Sequence, residues 1–261
     1  MGVLNVTPDS FSDGGKFNKN SIAVDHVLKM VDDGAQIIDI GGESTRPGSE
    51  PVSEIEECER ILPIIESIKK INSKITISVD TYKASVAKKA IEAGADIVND
   101  ISGLTFDPDM LPLLSGKDIP VIIMHINGKP KTMQKSPNYK DLIQDIRNFL
   151  KYQSKIAEDG GINKNHIILD PGIGFGKTFE HNFTLLKRLD EICSLGYPVM
   201  IGPSRKAFIG DALDLPVDDR IEGTLATVVA GIMNGAKIVR VHDVKEVNRV
   251  VKITEKILSA S

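Results

Sequence analysis

The segment GAQIIDI at residues 34–40 decides the fold, because it recurs as GADIVND at 94–100 and as GAKIVRV at 235–241. Each copy follows a stretch of helical periodicity. A glycine after a helix suits the left-handed cap that ends it. The Ile-rich run behind the glycine suits a strand that is buried on both faces, as the strands of parallel sheets are. The repeat therefore predicts a unit in which a helix leads into a buried parallel strand.

Eight short apolar runs of this kind extend along the chain, separated mostly by amphipathic helical segments. The runs finish at polar residues: Asn5, Asp39, Asp80, Asn99, His125, Asp170, Ser204 and His242. This order predicts an α/β protein, a (β/α)8 TIM barrel that forms a single domain over residues 1–261. In such barrels the active site lies at the carboxyl ends of the strands. An open doubly wound sheet is the rival architecture, because eight strands do not prove closure.

Composition excludes several classes of protein. The chain has 261 residues and a formal net charge of −4, which disfavours a general nucleic-acid binder because such a protein needs a basic face. Cys58 and Cys193 have no metal-ligand spacing and indicate idle thiols in a reducing compartment. We see no signal-peptide pattern and no apolar run long enough for a membrane span. We expect a cytoplasmic protein without nucleic-acid or membrane partners.

Local signals predict where some helices begin and break. Residues 53–56, Ser-Glu-Ile-Glu, have the form of a capping box. Asp107 precedes Pro108, which predicts a cap followed by a proline at the first helical position. Pro63 falls inside a helical pattern and should kink or interrupt that helix.

Three polar residues at strand ends are candidate ligand-binding groups: Asp80, Asn99 and Asp170. A carboxylate that faces inward from an apolar strand costs several kcal/mol unless it is paired or hydrogen-bonded. A flat heterocycle with adjacent N–H donors would satisfy such groups. Each of the three could instead cap the following helix, but their occurrence together at successive strand ends favours a ligand.

A glycine-rich segment, GIGFGKT at 172–178, lacks the spacing of a phosphate-binding loop. We interpret it as a tight strand-to-helix loop whose Phe175 either covers a planar ligand or belongs to the core. Basic residues after strands 7 and 8 indicate an anion site, since barrels often bind phosphate there. Arg240 and His242 are two residues apart and should face the same side, joined by Arg46. Solvated surface charge is the preferred interpretation of Arg205 and Lys177.

Asn5, in the first predicted strand, is a candidate ligand of Mg²⁺, which usually combines one or two protein oxygens with phosphates and water. The loop behind it contains Asp9 and Asp13, which residue type makes turn formers rather than ligands. The same loop could act as a mobile lid.

Taken together, ordered motifs resemble the dihydropteroate synthase family of pterin-binding barrels. The match runs from Gly2 to Val244 and rests on LNVTPDSFSDGG, GGESTRPG, SVDT, NDI, LDPGIGFGK, SRK and RVHDV. The resemblance implies that a 6-hydroxymethyl-dihydropterin diphosphate loses diphosphate while the amine of 4-aminobenzoate attacks the exposed methylene. It also implies Mg²⁺ as the cofactor and catalysis through charge stabilisation and positioning, without a nucleophile triad.

The resemblance assigns roles to individual residues. The implied pterin ligands are Asp80, Asn99, Asp170 and Lys206. The implied diphosphate ligands are Arg46, Arg240 and His242, with Asn5 on Mg²⁺ and diphosphate. The implied walls of the aminobenzoate site are Phe11, Thr45, Pro47, Phe175 and Ser204. Asn5, Lys206, Arg240 and His242 are expected to act in catalysis.

Two positions depart from the family pattern. Ala207 follows Lys206 where serine is common, and residues 124–128 read Met-His-Ile-Asn-Gly instead of the commoner Met-His-Met-Gln-Gly. A methyltetrahydrofolate–corrinoid methyltransferase is the nearest rival, but it does not need the diphosphate cluster of Arg46, Arg240 and His242. An inactive pterin-binding scaffold would be expected to have lost Asn5, Lys206 or Arg240. We expect a homodimer, because the last two helices carry apolar residues: Val228, Val229, Ile232, Met233, Val250 and Ile253.

Overall fold

The computed structural model describes residues 1–7 and 16–260, and the side chains of all of these except 16–19. Six parallel strands form one sheet in sequence order, each paired with the next along the chain. They are β1 (Gly2–Asn5), β2 (Ile37–Gly41), β3 (Thr76–Asp80), β4 (Ile97–Asp100), β5 (Val121–Met124) and β6 (Ile167–Asp170). A second, two-stranded parallel sheet pairs β7 (Met200–Ile201) with β8 (Ile238–Val239).

Two isolated bridges join the sheets into a closed barrel. Leu169 of β6 bridges to Val199 beside β7, and Gly2 of β1 bridges to Val241 beyond β8. The amide of Val3 also donates to the Val241 carbonyl at 3.1 Å. Since β6 meets β7 and β8 meets β1, no sheet edge remains among these eight strands. The predicted barrel is confirmed, and the open doubly wound alternative is excluded.

Helices follow the strands and cover the outside of the barrel. They are α1 (Lys16–Asp32), α2 (Glu54–Ile71), α3 (Ala84–Glu92), α4 (Met110–Leu114), α5 (Leu142–Asp159), α6 (Phe179–Lys187), α7 (Leu189–Cys193), α8 (Ala207–Leu213), α9 (Ile221–Met233) and α10 (Val244–Leu258). A short 3-10 turn at Lys164–His166 precedes β6. None of the helices within the described ranges combines the length and apolar character that crossing a membrane requires.

The predictions about where helices begin and break have different outcomes. Ser53 does cap α2, since its hydroxyl accepts from the Glu56 amide at 3.2 Å. The helix nevertheless continues through Pro63 without interruption, so that prediction was wrong about a break. Asp107 does not directly flank the helix that follows it, because α4 begins at Met110. Its carboxylate accepts from the Asp109 amide at 3.0 Å, in the turn before α4, and from the Ala84 amide at 2.7 Å, at the start of α3.

The barrel interior contains an apolar layer formed by one residue from each of several strands. These residues pack against each other across the barrel: Ile37, Ile97, Ile122, Ile168, Met200 and Ile238. A larger apolar core lies outside, between the sheet and the helices. Since residues two apart on a strand face the same side, the next inward layer lies toward the carboxyl ends of the strands. That layer forms the floor of the candidate site.

Candidate active site

The layer above the apolar one is mostly polar. Counting two residues along each strand from the apolar layer gives Asp39, Asn99, Met124, Asp170, Gly202 and Arg240. Four of these six carry charged or amide groups. Burial of such groups is expensive unless they pair with one another or with a ligand, so their partners indicate what the site can bind.

Arg240 is the centre of a buried charge network. Its Nε donates to Asp39 Oδ2 at 2.6 Å, and a terminal nitrogen donates to Asp80 Oδ2 at 2.8 Å. The side-chain amide of Asn99 donates to the same Asp39 oxygen at 3.1 Å. Because a carboxylate only accepts, this contact requires the Asn99 nitrogen to face Asp39. The Asn99 oxygen is buried without a partner among the described residues.

Burial shifts the acid–base behaviour of these groups. It raises the pKa of Asp80 to about 7, although Arg240 pulls that pKa down and Asp39 pushes it further up. Burial also raises the pKa of Asp170. For Arg240 burial alone lowers the pKa, but Asp39 and Asp80 outweigh it and raise the pKa above its usual value. The floor therefore holds a fixed cation beside two carboxyl groups, Asp80 and Asp170, whose pKa values burial raises.

Asp170 and the glycine-rich loop form one side of the site. The Asp170 Oδ1 accepts from the Gly172 amide at 2.7 Å, and the Asp170 carbonyl accepts from the His125 amide. Gly172 has φ of 69°, and a Cβ there would collide with the His125 carbonyl, so only glycine fits this turn. The loop is thereby tied to the end of β5.

The sequence-based interpretation of Lys177 as a solvated surface charge is wrong. Lys177 is only 1% exposed to solvent. Its Nζ contacts His125 Nδ1 at 3.1 Å and donates to the Phe175 carbonyl at 3.0 Å. Burial lowers the pKa of Lys177 to about 7 and, with the nearby Lys177 charge, lowers that of His125. The lysine stem and ammonium hold the loop that presents Phe175.

Lys206 lies against the same loop from the opposite side. Its Nζ sits 4.4 Å from the Phe175 ring centroid and donates to the Ile173 carbonyl. Burial lowers the pKa of Lys206 to about 7, while Asp170 pulls it up. Lys206 thus supplies a donor beside acceptors, and it stacks on an aromatic wall.

These groups surround one cavity. Its walls are formed by Thr45, Asp80, Asn99, Ile101, Met124, Asp170, Phe175, Gly202, Lys206 and Arg240. Seven of these ten are among the residues that the sequence singles out.

Ser204 and His242 lie beside the cavity and contact each other. The Ser204 hydroxyl is 3.0 Å from His242 Nδ1 and also accepts from the His242 amide at 3.2 Å. Burial, followed by the charge of Arg240, lowers the pKa of His242 to about 4. The imidazole is therefore neutral at pH 7. If Ser204 donates to Nδ1, the proton lies on Nε2, which can then donate to an anion.

The remaining predicted residues are less constrained. Arg46 and Pro47 are exposed on the loop after β2, whereas Thr45 reaches the cavity wall. Asn5 is half-buried at the end of β1, in register with Gly41. Phe11, like Asp9 and Asp13, lies outside the described residues. Within residues 1–7 and 16–260, no three His, Cys, Asp or Glu side chains come together as a metal cluster.

Sequence reasoning placed Asp39 and His125 at strand ends without giving them a role, and it took Lys177 for a surface charge. Asp39 had a usable signal: it occupies the sixth position of the heptapeptide repeat, as do Asn99 and Arg240. The three residues that hydrogen-bond to one another are therefore the three that the repeat aligns. No comparable pattern marks Lys177, since its burial results from the packing of the loop.

Comparison with known proteins gives matches over almost the whole length of the chain. A family model described as "Pterin binding enzyme" matches residues 1–242. The dihydropteroate synthase of Clostridium beijerinckii is 54% identical over 98% of this chain and 92% of its own length. That of Bacillus subtilis is 51% identical over 99% and 88%.

Experimentally determined structures agree with these relatives. A dihydropteroate synthase from Clostridium difficile, crystallised in the presence of pteroic acid, has a TM-score of 0.94 at 47% identity and covers 100% of this chain and 96% of its own. The Xanthomonas albilineans enzyme with 4-aminobenzoic acid has a TM-score of 0.93 at 37% identity, covering 100% and 93%.

Proposed function

This chain belongs to the family of pterin-binding enzymes, and we propose that it is a transferase with dihydropteroate synthase activity. It condenses 6-hydroxymethyl-7,8-dihydropterin diphosphate with 4-aminobenzoate, which yields 7,8-dihydropteroate and diphosphate in folate biosynthesis. The observation that carries this proposal is the polar floor of the cavity, where acceptors on three strands face one lysine donor.

The floor matches the hydrogen-bonding pattern of a pterin ring. Asp80, Asn99 and Asp170 supply acceptors for ring N–H and amino groups, and Lys206 supplies a donor for a ring acceptor. The apolar walls supply contacts to the flat faces of the ring: Ile101, Met124 and Phe175. A bound ring N–H would donate to the unpartnered Asn99 oxygen, which explains why this buried acceptor has no partner within the part of the chain that the structure describes.

The reaction breaks the bond between the methylene carbon and the diphosphate oxygen, and the diphosphate leaves with the electron pair. The amine nitrogen of 4-aminobenzoate forms the new bond to the methylene and then loses one proton to solvent. Negative charge therefore grows on the leaving group. Arg46, Arg240 and neutral His242 are the groups of this chain that would stabilise it. The carboxylates of the floor would stabilise positive charge on the ring.

We propose that Mg²⁺ accompanies the diphosphate. Asn5 offers a single amide oxygen at the end of β1, and no acidic cluster surrounds it within the described ranges. Such a donor set fits an ion that is carried largely by phosphate oxygens and water, not one held in a protein cage. When bound, the ion would neutralise charge on the leaving diphosphate.

The second substrate would bind at the rim, where Thr45, Pro47, Phe175 and Ser204 lie. Pro47 is exposed on the loop after β2, and Phe11 lies outside the described residues. Diphosphate contacts through Arg46 would order the loop after β2 and assemble this site. Titration of 4-aminobenzoate should give little heat with protein alone and a clear signal once pterin, Mg²⁺ and diphosphate are present. Equal affinity under both conditions would contradict this order.

Two further features are proposed. We infer a homodimer through α9 and α10, which pack together and expose Met233, Ile253 and Ile257. A cytoplasmic location accords with Cys58 and Cys193, which are free thiols. Sedimentation of the purified protein at several concentrations tests the first proposal.

A single assay tests the main proposal. Diphosphate release from the pterin substrate should depend on added 4-aminobenzoate and should match the amount of dihydropteroate formed. Release that is independent of the amine would indicate a hydrolase. Pterin binding without release would indicate an inactive binding protein.

A further inference from the structure

The loop that carries Lys206 contains a strained residue. Arg205 has φ of 57°, in the left-handed region, between Ser204 and Lys206. The only other residues than glycine in that region, among those the structure describes, are Leu104 and Asp214. A side-chain-bearing residue held there is strained and persists only when its surroundings fix it.

Each part of Arg205 has a partner on a different element. Its amide donates to Thr224 Oγ1 at 3.1 Å, on α9. Its carbonyl accepts from the Arg220 guanidinium at 3.1 Å. Its own guanidinium makes two bonds to Asp243, of 2.9 and 2.5 Å. Backbone and side chain are thus held at once, which explains how the strained conformation survives.

Arg220 extends this clamp to neighbouring residues. The same guanidinium donates to the Lys206 carbonyl at 3.3 Å and to the Leu215 carbonyl at 3.0 Å. It lies over Gly210, where a Cβ would overlap it. Arg220 and Thr224 lie outside the cavity wall, so their contribution is to the shape of the loop.

The Asp243 pair connects two parts of the site. Asp243 directly follows His242, whose ring contacts Ser204, and Ser204 directly precedes Arg205. The bidentate bond therefore joins the loop after β7 to the loop after β8. A paired guanidinium–carboxylate fork also fixes relative orientation, which a single bond does not.

We propose that Arg205 is a positioning residue: through Asp243, Thr224 and Arg220 it holds Lys206 on the cavity and the Ser204–His242 pair beside it. This role rests on the proposed function, because it concerns the groups that would receive pterin and diphosphate. The Arg205 guanidinium is paired with Asp243, and the Asp218 carboxylate lies 3.5 Å from it.

Two variants test the clamp: Asp243→Asn and Arg205→Met. Misplacement of catalytic groups by about 1 Å can cost roughly a hundredfold in rate. We expect kcat to fall roughly tenfold to a hundredfold in Arg205→Met and in Asp243→Asn, with weaker binding of pterin diphosphate by calorimetry. The double variant Arg205→Met/Asp243→Asn should lose no more than the worse single variant, because one link is removed in either case.

A matched control separates strain from position. Asp214 has φ of 55° at the end of α8, is exposed, and does not line the cavity. Asp214→Gly should relieve the same kind of strain and leave kcat and pterin affinity unchanged. Melting temperatures of all variants show whether a loss of rate follows from unfolding. Arg205→Lys, which keeps charge but not the fork, should recover only part of the rate.

The outcomes distinguish this proposal from the proposed function. Full rate and full binding in Asp243→Asn and Arg205→Met, or losses that add in the double variant, would overturn the positioning role. A wild-type protein that binds pterin diphosphate without forming product would overturn the proposed function instead. In that case the calorimetric affinities of the variants still decide whether Arg205 positions the site.

Discussion

The floor and the rim of the cavity are built in different ways. On the floor, Asp39, Asn99 and Arg240 extend from β2, β4 and the end of β8, where the backbone ladder fixes every Cα. At the rim, the loop of residues 42–53 carries Arg46 and Pro47 in solvent. Its tip is held by one bond from the Gly48 amide to the Pro130 carbonyl and by the exposed Lys131–Glu50 pair.

Between these two regions lies a buried anchor. Lys83 Nζ contacts Glu43 and Glu57 at 2.5 and 2.6 Å and donates to the Val52 carbonyl at 2.8 Å. Both ends of the loop are therefore tied to Lys83, whereas inside the loop the Ser49 hydroxyl donates to the Ser44 and Arg46 carbonyls. Strands fix the groups of the floor, whereas the rim loop presents Arg46 and Pro47 to solvent. We therefore expect the proposed pterin site to be organised before binding, and the proposed second site to depend on ligand contacts with that loop.

The largest expected effect is a loss of stability when an arginine of the floor is replaced by methionine, compared with the same replacement at the rim. Arg240→Met leaves Asp39 and Asp80 buried without their cation, which should reduce the free energy of unfolding by about 3–5 kcal/mol. Arg46→Met, on the exposed loop, should change it by less than about 0.5 kcal/mol. Urea unfolding at pH 7 measures both. Equal free energies of unfolding for the two variants would show that the buried carboxylates of the floor do not depend on the Arg240 cation.

Next in size is Asp170→Asn. The carboxylate already accepts from Gly172, so a pterin must use its remaining acceptor positions, and an amide offers fewer. Losing a charged acceptor should weaken pterin binding by about 1.5–3 kcal/mol. The control is Asp96→Asn, since Asp96 accepts from Lys69 and Ile77 at the opposite end of the barrel. It should change stability and leave pterin affinity alone, as calorimetry can establish.

A smaller effect is expected from pH. The pKa of Asp80 is raised to about 7 in the free protein, and ring N–H groups bind the ionised carboxylate better. Pterin affinity should therefore fall as the pH drops below about 7, by at most about tenfold per pH unit for this group. Proton release on binding, measured in two buffers, should disappear in Asp80→Asn. An affinity that rises on acidification would contradict the assignment.

The raised pKa of Asp80 has the opposite pH dependence in the free energy of unfolding. Because the folded-state pKa of Asp80 exceeds its ordinary value of 3.8, the folded protein holds that proton more tightly than the unfolded chain. The contribution of Asp80 to stability is therefore full below about pH 4 and is lost as the pH rises through about 7.

The smallest effect belongs to the rim. Ala207 is the first residue of α8 and is exposed. Ala207→Ser adds a hydroxyl that can reach the aminobenzoate carboxylate, which is worth about 0.5–1.5 kcal/mol. The KM for 4-aminobenzoate should fall several-fold and that for pterin diphosphate should not change. Ala212→Ser, exposed on the same helix, is the matched control. An unchanged or higher KM in Ala207→Ser would show that this contact does not form.

Much of the fold and part of the site could be predicted from local pattern. The buried runs behind a terminal glycine are sufficient to predict parallel strands, and strand ends predict Asp80, Asn99 and Asp170 on the cavity. Pro63 and Asp107 show the limit. Tertiary packing carries α2 through its proline, and Asp107 caps a helix that precedes it in the chain. Local preference does not determine which partner a capping side chain finds.

The sequence by itself determined the repeating strand–helix order, because burial on both faces of a parallel strand requires a continuous apolar run. It also determined which residue types reach the barrel mouth, since side chains alternate along each strand. Only the tertiary structure decided that Lys177 is buried beside His125, and that Arg240 lies between Asp39 and Asp80. It alone decided that Asp243 holds Arg205 in a strained conformation. These outcomes depend on closure of the barrel, which brings residues far apart in sequence within hydrogen-bond distance.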